Sequence, residues 1–106
     1  MSDHRRQRSG IIYLIHFETK LHHAQHYLGF AVDLNFRLNQ HHAGNGSKLM
    51  AAVHNAAIGW IVARTWRGSR DFERRLKNLH AGPRLCPICR ANLGIHAKSD
   101  SRQLAF

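Results

Sequence analysis

Two tyrosines, an arginine, a histidine and an isolated glutamate stand at intervals that one small fold could gather. Tyr13 and Tyr27 each lie in a short β-branched or aromatic run, Ile11–Phe17 and His26–Phe30. Arg37 follows in the next segment, and His41 comes one helical turn after it. Glu73 sits among Arg70, Arg74, Arg75 and Lys77. These types suit phosphodiester hydrolysis, which needs an activated water, charge stabilisation on the phosphorus oxygens and help for the leaving alkoxide. A carboxylate such as Glu73 can hold magnesium or manganese, ions that favour carboxylate, water and phosphate oxygens. Arg37 offers phosphate a planar fork of donors that stays charged. A phenol titrates at about pH 10, and beside a metal-bound water and cationic groups its phenolate becomes more accessible. Singly, each residue has a plainer use: packing for the tyrosines, a solvated face for Arg37 and His41, an ion pair with Arg70 or Lys77 for Glu73.

The charge balance narrows the partner. Sixteen Lys and Arg against six Asp and Glu give a net charge of +10 with the ten histidines neutral. Such a field gathers polyanions, DNA foremost. Arg64, Arg67, Arg70, Arg74 and Lys77 are the expected phosphate contacts. No stretch approaches the ~18 apolar residues of a spanning helix, and no signal-peptide pattern heads the chain, so no membrane role is expected. The two cysteines, Cys86 and Cys89, form a C-x-x-C pair. One pair is not the disulfide framework of a secreted domain, which points to a reducing, cytoplasmic setting.

The elements that must position these residues follow from patterning. Ile11–Phe17 and His26–Phe30 read as paired strands, with Glu18–Ala24 as a hairpin loop. Gly29 marks a close approach. Asp33 caps a helix from Leu34 to about His42, ended by Gly44, and Ser47 caps a second from Lys48 to about Ala57. Trp60–Trp66 is a third strand, Gly68-Ser69 a turn and cap, and Asp71 to about His80 a helix with Phe72, Leu76 and Leu79 on one stripe. The order β-β-α-α-β-α implies an α/β protein of the α+β type: a small three-stranded, mostly antiparallel sheet flanked by helices. Residues 1–9 read as a disordered basic arm, 10–90 as the folded domain and 91–106 as a tail.

In this order the motifs resemble the GIY-YIG nuclease superfamily. Ile11-Ile12-Tyr13 stands at the first motif and Tyr27-Leu28-Gly29 at the second. Leu34-x-x-Arg37-Leu38-x-x-His41 matches the following helix, and Phe72-Glu73-Arg74-Arg75-Leu76-Lys77 the metal-ligand helix. The resemblance spans about Gly10 to Cys89. It implies a metal-dependent DNA endonuclease leaving a 5′-phosphate and a 3′-hydroxyl. Glu73 would hold the ion, Arg37 stabilise the phosphate, Tyr13 and Tyr27 activate or orient water, and His41 assist proton transfer. No small-molecule cofactor is implied. With no second domain expected to supply recognition, sequence specificity would be low or would come from a homodimer or a partner. The alternative function is a non-catalytic nucleic-acid-binding module, stabilised by zinc through the C-x-x-C.

Cys86 and Cys89 could make a zinc site with His80 and His96, C-x-x-C being the usual half-site spacing, or they are two plain reduced thiols. His22, His23 and His26 could bind metal too, but a solvated loop suits them better. Strand alternation puts Trp60 and Trp66 on one face, in the core, with Arg64 and Arg67 pointing the other way.

Overall fold

The computed structural model describes residues 9–79 and 82–91. His80, His96, nearly all of the basic arm and most of the tail lie outside the described residues. β1 (Ser9–Leu21) and β2 (Ala24–Ala31) form a hairpin. α1 (Leu34–His42), α2 (Lys48–Asn55), β3 (Trp60–Ser69), α3 (Arg70–Asn78) and α4 (Gly82–Leu85) follow, and residues 87–91 form a last helical turn, α5. The three strands make one antiparallel sheet of order β2-β1-β3. The fold is therefore α+β, as the patterning predicts.

β1 is central, and its middle is covered on both sides. Ile12, Tyr13, Leu14, Ile15 and Phe17 are all fully buried, which is why this stretch reads as a continuous apolar run without alternation. Tyr13, Ile15 and Phe17 point to one face, where they pack with Ala31, Met50 and Val53 and with the flanking Leu34, Leu38, Leu49 and Ile58. Thus α1 and α2 cover this face. Both begin as predicted: the Asp33 carboxylate accepts from the Phe36 amide at 3.1 Å, and the Ser47 hydroxyl from the Met50 amide at 3.0 Å. The opposite face carries Ile12, Leu14 and His16, with α4 and α5 packed beyond them. α3 touches all three strands. It starts at a Ser69 hydroxyl cap, 3.2 Å from the Phe72 amide.

Three expectations need correction. The predicted loop Glu18–Ala24 is mostly strand: β1 runs to Leu21, β2 starts at Ala24, and only His22 and His23 turn, His22 with φ 57°. The extra length is taken up by irregular register between His16 and Leu21. It is anchored by Gln25 Nε2 donating to the Phe17 carbonyl at 2.6 Å and by the Glu18 amide donating to the Gly59 carbonyl at 2.8 Å. Gly68 and Ser69 belong to β3, paired with Gly10 and Ser9, rather than to a turn. Trp60 and Trp66 do not share a face. Leu14 pairs with Arg64 but Ile15 with Val62, so Ala63 is bulged. A one-residue slip reverses every later side chain. Trp60, opposite Phe17, joins the α1–α2 core, whereas Trp66, opposite Ile12, lies on the other face. Arg64 shares that face with Trp66, as residues two apart in a strand must, and stacks 4.7 Å from its ring.

Candidate functional site

Tyr13 and Gly29 are directly opposed on β1 and β2. The Tyr13 ring lies flat over the glycine: a Cβ on Gly29 would fall 2.5 Å from the Tyr13 hydroxyl oxygen. The close approach predicted at Gly29 is therefore made by this side chain. With its ring laid toward β2, Tyr13 meets Tyr27 at 6.0 Å between centroids and His41 at 5.9 Å, and Tyr27 meets His41 at 5.3 Å. His41 is fully buried at the end of α1, held edge-on to Trp60 at 6.5 Å. Gly46, at φ 97°, brings the following loop close; a Cβ there would stand 3.0 Å from the His41 ring.

The hydrogen bonds decide the tautomer of His41. Its Nδ1 lies 3.2 Å from the Asn45 carbonyl oxygen, which can only accept, so Nδ1 carries the proton. Nε2 is then an acceptor, and the Tyr13 hydroxyl donates to it at 2.8 Å. Burial pushes the His41 pKa below the usual 6.5, with the Arg37 and His42 charges acting the same way and the Asn45 bond opposing. Neutral imidazole thus faces a neutral phenol. Tyr13 is pushed well above the ordinary tyrosine value, chiefly by burial, then by Tyr27 and Glu73, against the pull of Arg37. At Tyr13 desolvation outweighs the nearby guanidinium and favours the phenol.

Glu73 is buried on α3, only 5 % exposed, and bonds Lys77 one turn later at 3.0 Å. The Lys77 ammonium in turn lies 5.9 Å from the Tyr27 ring centroid. Of the five residues singled out from sequence, Tyr13, Tyr27 and His41 meet directly, and the charges of Arg37 and Glu73 reach Tyr13. The ion pair anticipated for Glu73 is present as well, with Lys77 rather than Arg70. Arg70 instead lies over the Phe30 ring at 5.1 Å. Arg67, Arg70 and Arg74 are exposed, as phosphate contacts must be. Arg64 is exposed too, but it sits on the face away from Tyr13, where its Nη1 donates to the Leu85 carbonyl at 3.3 Å.

A second polar cluster lies on that opposite face. His16 and His26 are cross-strand partners, and Cys86 and Cys89 reach them from the segment after α4. Together these four could hold a metal ion: one ligand atom from each lies within 4.8 Å of all the others. Burial lowers the pKa of both histidines, with His16 further lowering His26. It raises that of Cys89, as Cys86 does also. The C-x-x-C was visible in the sequence, but His16 was not, and His26 stood out only as part of a His-rich loop. The signal that could have found His16 is its parity with Ile12 and Leu14, which puts it on a buried face. His22 and His23 are exposed at the turn and take no part.

Among the described residues no helix is long and apolar enough to cross a membrane. No family model, curated protein or solved structure matches the chain.

Proposed function

We propose that this chain is a metal-dependent endonuclease of the GIY-YIG type, hydrolysing phosphodiester bonds in DNA. One observation carries the reading: Tyr13, Tyr27 and His41 form one buried cluster, within reach of the charges of Arg37 and of the buried carboxylate Glu73. A core gains nothing from such a centre, since every buried polar group loses its hydration. The basic surface of a chain with net charge +10 supplies the affinity for the phosphate backbone.

The donor set suits magnesium or manganese. Glu73 offers one carboxylate, and such ions take the rest of their ligands from water and substrate phosphate. When bound, the ion would supply positive charge against the developing negative charge on the phosphate. Arg37, already close enough to act on both Tyr13 and His41, supplies a fork of donors to the non-bridging oxygens. Lys77, 3.0 Å from the Glu73 carboxylate, is its partner on the same helix.

Proton transfer falls to the Tyr13–His41 pair. The attacking water gives its proton to the Tyr13 oxygen as the Tyr13 proton passes to His41 Nε2, 2.8 Å away. The water oxygen forms its bond to phosphorus, the bond to the leaving oxygen breaks, and that oxygen takes a proton from solvent. The imidazolium is held by the Asn45 carbonyl at Nδ1. Tyr13 thus works as a relay from a resting phenol, with Tyr27 orienting the water beside it.

Nicking of supercoiled plasmid with magnesium or manganese, against EDTA and Glu73→Ala, tests the reading. Cleavage should need both the ion and Glu73. The variant should lose more than the ~10²–10³-fold that one transition-state donor is worth, while still binding DNA. A folded protein that binds plasmid, flapped and branched DNA in a salt-sensitive way and cuts none of them would be a non-catalytic binding module.

A further inference from the structure

The His16–His26–Cys86–Cys89 cluster has a geometry that hydrogen bonding does not explain. His16 Nδ1 stands 3.4 Å from His26 Nε2, 3.5 Å from Cys86 Sγ and 3.6 Å from Cys89 Sγ; Cys89 Sγ is 3.3 Å from His26 Nε2. One imidazole nitrogen offers a single in-plane position, either an N–H or a lone pair. It cannot serve three partners at once. A cation at the centre of the four atoms serves all of them.

The edge lengths bear on its size. A tetrahedral ion with bonds of about 2.0–2.1 Å to nitrogen and about 2.3 Å to sulfur places its ligands ~3.3 Å apart for N···N and ~3.6 Å apart for N···S. Four of the six edges, 3.4 Å between nitrogens and 3.3–3.6 Å between nitrogen and sulfur, agree to within a few tenths of an ångström, and all six lie within 4.8 Å. Two thiolates and two imidazoles are soft donors that suit zinc and not magnesium or calcium. Two thiolates also cancel the charge of a divalent ion, so a cluster with one fully buried and three half-buried members holds no net charge.

We propose that His16, His26, Cys86 and Cys89 bind one zinc ion in a closed structural site, with His16 and His26 in the places the sequence suggested for His80 and His96. On binding, each thiol releases its proton to solvent and both imidazoles coordinate in the neutral form. The zinc ties the segment after α4 to both strands of the hairpin. Arg64 delivers that segment by its bond to the Leu85 carbonyl, one residue before Cys86. Because His16 and His26 are directly opposed, the zinc also fixes the β1–β2 register. A slip of one residue would turn His26 to the wrong face and break the site. The same register sets Tyr13 against Gly29 and Tyr27 against Ile15. The zinc therefore braces the tyrosine pair from behind. The site stands whether or not the tyrosine face is a nuclease.

Tag-free protein, purified without added zinc, should contain about one zinc per chain by elemental analysis. Cobalt(II) exchanged into it should give the intense visible absorption of a tetrahedral thiolate–imidazole site. Chelation of the wild-type protein should lower its melting temperature, and added zinc should restore it. Cys89→Ser and His26→Phe should lose the metal, His26→Cys should keep it with a changed cobalt spectrum, and His22→Ala/His23→Ala should keep it unchanged. Folded wild-type protein that carries no zinc, gives no tetrahedral cobalt spectrum and shows two titratable thiols or a Cys86–Cys89 disulfide overturns the proposal. So does zinc that survives in Cys89→Ser and His26→Phe but leaves with His22 and His23. None of these readouts involves DNA, so failure here leaves the cleavage test untouched.

Discussion

The two faces of one three-stranded sheet hold polar clusters in different ways. On the face covered by α1 and α2, Tyr13, Tyr27 and His41 are set into an apolar core with Ile15, Phe17, Met50 and Val53 around them. Each orientation there is over-determined: Tyr13 by the space over Gly29, His41 by bonds at both ring nitrogens. On the far face, where Phe72 of α3 comes up to Ile12 and the short segments α4 and α5 add to the cover, the histidines and cysteines converge on one another. One cluster is placed by packing and the other by its ligand geometry. The first should therefore respond to changes of shape, and the second to removal of a central ion.

Gly29→Ala presses hardest on that distinction. The new methyl must displace the Tyr13 ring, and overpacking of this kind costs about 1–3 kcal/mol. Urea denaturation should show that loss, and under the proposed nuclease reading plasmid nicking should fall with it, while the zinc content stays unchanged because His16 and His26 face away. A variant as stable as the parent would mean that the ring does not rest on Gly29. Asp33→Ala should cost somewhat less, about 0.5–2 kcal/mol for a lost N-cap, because it loosens the start of the helix that carries Arg37 and His41. Its chelation response should match wild type.

The subtlest effect is on pH dependence. Burial holds His41 below 6.5 in the folded protein, so between its folded and unfolded pKa the unfolded chain binds more protons. Stability contributed by neutral His41 is then full above about 6.5 and declines as the pH falls below it, levelling once the folded imidazole titrates. The advantage of wild type over His41→Gln, followed by thermal melts from neutral to acidic pH, should shrink on acidification. An advantage that grows toward acid would place a protonated imidazole at this position.

Features governed by neighbours in sequence were legible. Asp33, Ser47 and Ser69 cap the helices they precede, since a cap needs only the next few residues. Arg37 and His41 share a helix, and their spacing was informative for the same reason. The tryptophans were misplaced because the bulge at Ala63 arises where β3 meets β1, and nothing in Trp60–Trp66 alone reports it. The long hairpin loop was misread because the irregular stretch after His16 is stabilised from outside, by Gln25 and the Gly59 carbonyl.

The same division runs through the two sites. Residue type and order determined the chemistry on offer: tyrosines, an arginine, a histidine and a lone glutamate for phosphate, and a C-x-x-C half-site for a soft metal. Local physics sufficed there, because side-chain chemistry and turn spacing are properties of short segments. Which groups actually meet was left to tertiary structure. Strand register joined His16 to His26, and the packing of α4 and α5 brought Cys86 and Cys89 to them. The burial of Tyr13 held its proton and the Asn45 carbonyl chose the tautomer of His41. Register, burial and desolvation depend on contacts between residues far apart in the chain, and so they come into being only when the sheet closes and its two faces are covered.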